Sequence, residues 1–523
     1  METFFNRLAA RPQRSILLLG LLLLLAGNWI LPLTDRDEAR FGEASREMIQ
    51  RGDYIVPWFN GAWRFDKPVF IYWCQIASYK IFGVNDFAAR LPSALFATAT
   101  ALLLVRWGRK IADNKTALLA GVMYVAGLHV AVIGRIATAD MAMIFFFTLA
   151  VWSGWELTRP AHTLTPSPRP SGERAGVRGF EPDEKSSSSP LPSPPLHGRE
   201  GENSVQRRKW WWIFYIALAL GFLAKGPVAW LPLGGMILGR SFRKNAFRLP
   251  LTETRAGLCV TVALVALWGV PALLQTGGQF WKVGMGEHVF NRSFGVIDSH
   301  GIAGIAGFLA LLPLYFLTFF ASFFPWSLRV PKTVWRWWPE RKRDEIGWYL
   351  LTQAAVVFAV FSLVKTKLPH YTLPAFPIIA LWLARQIGGA PDISAWAGKR
   401  LAAMSAFILV LTLGLFPFAE KHLLTENLWR ATRPYVRPET KIGCFGYTEP
   451  SQVWRFRSVI TNDMTLGNVK QAASFLTNAP PFILVLPTGD LAKLPDTNGL
   501  LFQVRGLDLV KFQNRDLTAI VRP

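Results

Sequence analysis

From residue 15 to residue 417 the chain repeats apolar runs of helix-spanning length, parted by short polar or basic loops. Such runs, near 15–33, 89–105, 117–133, 139–157, 210–224, 227–239, 257–274, 303–323, 347–364, 372–386 and 400–417, each suit one helix through a bilayer. They predict an α-helical polytopic membrane protein. A mean hydropathy of +0.26 over 523 residues agrees, being too apolar for a soluble enzyme of this size. The net charge of +23 could point to nucleic acid. Much of the excess sits between apolar runs, so topology and anionic membrane lipid explain it better and no nucleic-acid partner is expected.

With the N-terminus inside, the basic stretches Arg106-Trp-Gly-Arg-Lys110, 240–248 and 329–343 all fall on the inner face, as the positive-inside rule requires. Arg7, Arg11 and Arg14 precede a first run too long for a signal peptide and without a small-x-small cleavage site, which predicts a retained helix. The outer face then receives a long loop, 34–88, and the last hundred or so residues. Three cysteines, Cys74, Cys259 and Cys444, give neither a disulfide framework nor metal-type spacing. The segment 160–208 is rich in Pro and Ser with almost no apolar content, which predicts a disordered inner insertion without a catalytic part. Residues 1–417 are expected to form the membrane domain and 418–523 a small soluble α/β domain. In that tail 482–487 and 501–510 read as strands and 466–476 as a short helix.

On this register the concentrated polar motifs collect at the outer face, although they are far apart in sequence. The interiors of the apolar runs hold almost no ionisable groups, whereas a transporter scatters charge toward the midplane. Asp37 and Glu38 follow the first run. A carboxylate there can serve as general base, since partial desolvation raises its pKa while nearby arginines lower it. Capping of the amphipathic stretch 39–50 accounts for the same acids equally well. Lys67, among aromatics with Tyr72, is either a phosphate clamp or a snorkelling interfacial cation. Asp140 is a second acid at a helix start, where capping is as natural. Lys225-Gly-Pro227 reads first as a helix break. Glu287-His288 with Asn291-Arg292, and Lys365-Thr-Lys-Leu-Pro-His-Tyr371, bring further groups able to hold an anion. Glu38 or Glu287 with His288 or His370 could hold a metal, but no spacing singles one out. There is no P-loop and no dinucleotide-type glycine pattern after a strand, so no nucleotide cofactor is expected. An enzyme on this face needs a donor already carried across the bilayer, and a polyprenyl-phosphate sugar meets that need. Its departing lipid phosphate accounts for the cations, and an acceptor to be activated accounts for the acids.

Taken in order, Asp37-Glu-Ala-Arg-Phe41, Ser45-Arg-Glu-Met48, Gly52-Asp53, Phe65-Asp-Lys-Pro68, Arg90-Leu-Pro92, Asp140, Leu223-Ala-Lys-Gly-Pro227, His288 with Asn291-Arg292, and Thr366-Lys-Leu-Pro-His-Tyr371 resemble the bacterial lipid A aminoarabinose transferases and the wider protein-mannosyltransferase-like family of GT-C glycosyltransferases. The resemblance covers about residues 10–390. It implies a GT-C fold of about 11–13 spans in a bacterial inner membrane, its active site facing the periplasm. It implies inverting transfer of a sugar from undecaprenyl phosphate to a lipid or protein acceptor, lipid A among them. By position it makes Asp37 the base or acceptor-positioning group and Asp140 a second family acid. It assigns Arg40, Lys67, Arg292, Lys365, Lys367 and Tyr371 to the donor phosphate, to which the reading of the residues adds Tyr72, lining the site beside Lys67. Some members bind a divalent metal, for which Glu38 and His288 are the candidates here. The tail carries no motif of the family. The rival expectation is a flippase or exporter of a lipid-linked anion.

Overall fold

The structure, a computed structural model, describes residues 1–159, 196–239, 249–291 and 311–523, with backbone only for 196–204 and 288–291. Helices α1 (Glu2–Ala10) and α2 (Pro12–Leu25) meet at a bend of 110°. After them come α3 (Asp37–Arg51), α4 (Phe70–Phe82), α5 (Asp86–Ile111), α6 (Asn114–Val125), α7 (Leu128–Ile133), α8 (Asp140–Thr158), α9 (Leu196–Lys225), α10 (Leu231–Gly239) and α11 (Leu251–Gln275). Helices Leu314–Ser322, Val330–Trp337, Glu345–Leu363, Phe376–Ile387 and Ile393–Leu409 follow.

Among the described residues five helices are long and apolar enough to cross a membrane, and six if the bent α1–α2 pair is one span. This is a multi-pass membrane protein. Helix α11 shows its outward role in its exposure, with Leu267 at 75% and Leu274 at 78%. Several other expected spans are real but interrupted. The run 117–133 breaks between α6 and α7, 227–239 opens with the 3-10 turn Pro227–Trp230, and 372–386 is entered through the 3-10 turn Pro369–Ala375. Most of the expected insertion 160–208 lies outside the described residues; 196–208, expected to be disordered, instead form the first turns of α9.

The segment 34–88 folds into two helices and a hairpin that pack against α11. Helix α3 carries Phe41, Ala44 and Met48 on one stripe, the i, i+3, i+7 spacing of a buried helix face. That stripe shares a core with Tyr72 and Ile76 of α4 and Trp268 and Ala272 of α11. The helix stops at Gly52, whose φ of 66° is left-handed and favours glycine. A hairpin follows, β1 (Trp58–Phe59) and β2 (Ala62–Trp63), turned by Asn60 and Gly61 at φ 51° and 79°. Asn-Gly is the pair that a tight primed hairpin turn demands. Helix α5 begins at an N-cap, where Asn85 Oδ1 accepts from the Ala88 N–H at 2.8 Å.

The C-terminal domain is a five-stranded sheet. Its strands are β3 (Lys441–Phe445), β4 (Thr465–Gly467), β5 (Phe482–Pro487), β6 (Leu500–Asp508) and β7 (Gln513–Arg522), in the order β4-β3-β5-β7-β6. Strand β3 is parallel to β4 and β5, while β7 is antiparallel to β5 and β6. The continuous apolar run Phe482–Leu486 is buried because β5 is central and covered on both faces. The expected helix over 466–476 is corrected: its start is β4, and only Ala472–Phe475 is α-helical. Strands β3 and β7 are additions to the expected elements. Gly443 interrupts the short apolar run of β3, and polar residues fill the first half of β7, so neither has a strong period-2 signal.

Candidate active site

Four elements bring ionisable groups to one cavity of about 490 Å³. The loop before α4 supplies Lys67, the start of α8 supplies Asp140, the end of α9 supplies Lys225, and the turn before Phe376–Ile387 supplies His370 and Tyr371. Apolar side chains of α11, such as Val262, Trp268 and Leu273, make much of the remaining wall. One side of the chamber therefore suits a lipid chain and its rim suits an anion.

Each group is placed by its own element. Asp140 opens α8, accepts from Thr138 Oγ1 at 3.1 Å and pairs with Lys225. Lys225 can arrive there because Gly226, at φ 79°, ends α9 and turns the chain away. Lys67 Nζ donates to the Asp66 carbonyl at 3.0 Å. His370 lies within electrostatic reach of Asp140, Lys225, Asp37 and Lys67. Burial pushes its imidazole below the usual histidine value, with Asp140 pulling the other way. Its surroundings thus favour the neutral imidazole over the cation.

Asp37 is the first residue of α3 and is exposed. Arg40, Arg64, Tyr72 and His370 all feel its charge. Thus the acid of the first loop and the segment 365–371, more than three hundred residues apart, belong to one electrostatic neighbourhood. Arg40, half-buried on the next turn of α3, belongs to it as well.

Glu38 points the other way, and the expectation of a metal ligand is corrected. Its two oxygens already take five hydrogen bonds: two from Thr34, two from Arg90 and one from the Ala137 N–H. Burial alone would push its carboxyl up, but Arg90 and the backbone donors hold it below the ordinary glutamate value. No lone pair is left for a cation. Among the described residues no three His, Cys, Asp or Glu side chains are grouped to hold a metal ion. The side chain of His288 and all of Arg292 lie outside the described residues.

Two phosphate expectations also change. Tyr72 is fully buried and does not face the cavity; its hydroxyl accepts from Arg64 Nε at 3.1 Å. Burial pushes that phenol up to about 12, so it stays protonated. Lys367 is buried and donates to the carbonyls of Phe361, at 3.0 Å, and Ser362, so it caps the end of the helix Glu345–Leu363. Lys365 is exposed on the turn beyond that helix. Tyr371 does line the cavity, its ring 5.0 Å from that of Phe361.

Arg64 and Asp66 join the site without having been expected there. Arg64 is buried, bonds Asp66 at 2.8 Å and lies 5.2 Å over the Phe41 ring. Their signal lies in Trp63-Arg-Phe-Asp-Lys67, where three charges sit among aromatics. Lys67 is only the last of the three.

Known proteins resemble this chain in sequence and in fold. The family model described as dolichyl-phosphate-mannose-protein mannosyltransferase matches residues 66–160, which include Lys67 and Asp140. The undecaprenyl phosphate-alpha-4-amino-4-deoxy-L-arabinose arabinosyl transferase of Pectobacterium carotovorum subsp. carotovorum is 29% identical over 412 residues, 76% of this chain and 64% of that protein. The protein of the same name from Enterobacter sp. is 28% identical over 427 residues, 79% of this chain and 67% of its own length. The chain thus spans about two thirds of these relatives. The crystal structure of ArnT from Cupriavidus metallidurans bound to undecaprenyl phosphate superposes with a TM-score of 0.67 at 15% identity, covering 96% of this chain and 97% of that one. At that identity the likeness speaks to the fold, which is that of the GT-C type.

Proposed function

We propose that this chain, a glycosyltransferase of the GT-C type similar to the aminoarabinose and protein-mannosyltransferase-like enzymes, moves 4-amino-4-deoxy-L-arabinose or a closely related sugar from undecaprenyl phosphate to lipid A at the periplasmic face of a bacterial inner membrane. The observation that carries this reading is the convergence of Lys67, Asp140, Lys225 and His370 on one part-apolar chamber, with Asp37 within electrostatic reach of His370. The apolar wall takes the prenyl chain, and its phosphate meets Lys67 and the Tyr371 hydroxyl at the rim. Lys225, fixed by Asp140, adds positive charge where the phosphate leaves.

Transfer is a single displacement with inversion. An acceptor oxygen forms a bond to the anomeric carbon while the bond from that carbon to the phosphate oxygen breaks. The electron pair stays on undecaprenyl phosphate, where the cations offset it. Fixed charges aimed at developing charge in a water-poor site often supply a large share of a rate enhancement. Asp37, with Arg40 and Arg64 about it, orients the acceptor and takes its proton where it carries one. No step runs through a metal at Glu38, whose oxygens are fully engaged elsewhere.

The rival reading, export of a lipid-linked anion, calls for charges toward the bilayer midplane on broken helices. The groups collected here come from loops and helix ends. Purified protein incubated with undecaprenyl phosphate-aminoarabinose and lipid A separates the two readings. A transferase yields lipid A heavier by one sugar in mass spectrometry, whereas an exporter only relocates unchanged donor.

A further inference from the structure

We propose that Ser451, in the C-terminal domain, is a positioning residue for Asp37, acting through the carboxylate of Asp35. The inference rests on the role given to Asp37 above. Ser451 holds both oxygens of Asp35: its N–H donates to Oδ1 and its hydroxyl to Oδ2, each at 2.7 Å. Asp35 lies two residues before Asp37, on the turn from which α3 starts.

The hydroxyl order behind Ser451 follows from proton counting. A carboxylate only accepts, so the single Ser451 proton goes to Asp35. The Ser451 oxygen then accepts from Thr425 Oγ1 at 2.8 Å, and Thr425 accepts from the Tyr447 hydroxyl at 3.3 Å. This gives a one-way chain, Tyr447 to Thr425 to Ser451 to Asp35, anchored within the C-terminal domain. All of it is buried or half-buried, where an unmade bond is costly.

The rest of α3 is gripped by the same domain. Arg457 reaches Glu43 at 3.4 Å and Glu47 at 3.6 Å, and Arg46 donates to the Trp454 carbonyl at 3.1 Å. In the adjoining hairpin Asn60 both donates to the Met464 carbonyl and accepts from its N–H, each at 2.8 Å. These contacts fix the body of α3, while Ser451 fixes the residue at its threshold. The C-terminal domain, which shares no motif with the sequence signature, thereby sets the aim of the acid.

The test uses the full chain with undecaprenyl phosphate-aminoarabinose and lipid A. Ser451→Ala is expected to lower kcat about tenfold or more, as small misplacements of reacting groups do, with KM for the donor within about twofold. Ser451→Thr, which keeps the hydroxyl, should restore most of kcat. Asp35→Asn should match Ser451→Ala, and the double variant should lose no more than either single one. Should Ser451→Ala fail to fold, Thr425→Val, which leaves both Ser451–Asp35 bonds but removes the proton given to Ser451 and the acceptor for the Tyr447 hydroxyl, should still lower kcat several-fold. A wild-type kcat in Ser451→Ala, or in Thr425→Val where that is the variant measured, a loss that threonine does not restore, or fully multiplicative losses would overturn the inference. A wild-type enzyme with no transfer at all would instead overturn the functional reading beneath it.

Discussion

Glu38 and Arg90, 52 residues apart, meet through two hydrogen bonds of 2.8 Å, one to each carboxylate oxygen, with both side chains buried. Arg90 also donates to the carbonyls of Asn28, Leu31 and Pro32, and Glu38 accepts from the Ala137 N–H. One ion pair thus ties the chain leaving α2, the start of α3, the first turns of α5 and the approach to α8. The neighbours Asp37 and Glu38 differ accordingly: Asp37 is exposed, the proposed partner of the acceptor, and Glu38 locks the frame.

Breaking that lock leaves a buried charge unpaired. Arg90→Leu is expected to destabilise the protein by about 3–5 kcal/mol, read as lost cooperativity or a lowered melting point in detergent. A melting point equal to that of the parent would show that the pair does not hold the frame.

Lys67 and Lys367 are expected to separate. Lys67→Ala should lower kcat by roughly a hundredfold or more, the usual cost of losing a charge that faces a developing anion. Lys367→Met should mainly cost stability, about 1 kcal/mol for its carbonyl bonds, with a much smaller effect on turnover. Steady-state kinetics beside thermal unfolding distinguishes them. Equal kinetic damage from both would restore Lys367 to the phosphate site.

The grip between domains carries a pH signature. Burial, with Glu47 beside it, pushes the Glu43 carboxyl up to about 7 from 4.5 against the pull of Arg46 and Arg457. Between those values the folded chain holds a proton that the unfolded chain has lost. This residue's contribution to stability therefore falls as pH rises from 4.5 through 7. Glu43→Gln cannot ionise and should lack that decline, so the variant should compare better with the parent at pH 8 than at pH 5, by on the order of 1–3 kcal/mol. Melting curves at the two pH values decide it, and an unchanged difference would place the proton elsewhere.

Much of this arrangement is legible in the amino-acid sequence. Long apolar runs and basic loops mark the spans because a hydrocarbon core tolerates little else. The strand 482–487 is visible because a central strand is apolar throughout. Asp37, Lys67, Asp140 and the 365–371 turn are recognisable as isolated charges at apolar boundaries. Their division of labour is not. Nothing local distinguishes Asp37 from Glu38, since the difference comes from Arg90, brought in by α5. Nor can Lys367 be told from a phosphate ligand by its spacing, because its carbonyl partners come free only where the helix Glu345–Leu363 ends short of it. Ser451 has no local signal at all, its partner lying 416 residues away.

The most direct measurement is transfer by Asp37→Asn. Purified protein is given undecaprenyl phosphate-aminoarabinose and lipid A, and the lipid A is weighed by mass spectrometry. The account predicts a sugar-bearing product from the parent and almost none from Asp37→Asn, with the variant folded and melting close to the parent. Full transfer by a folded Asp37→Asn would contradict it.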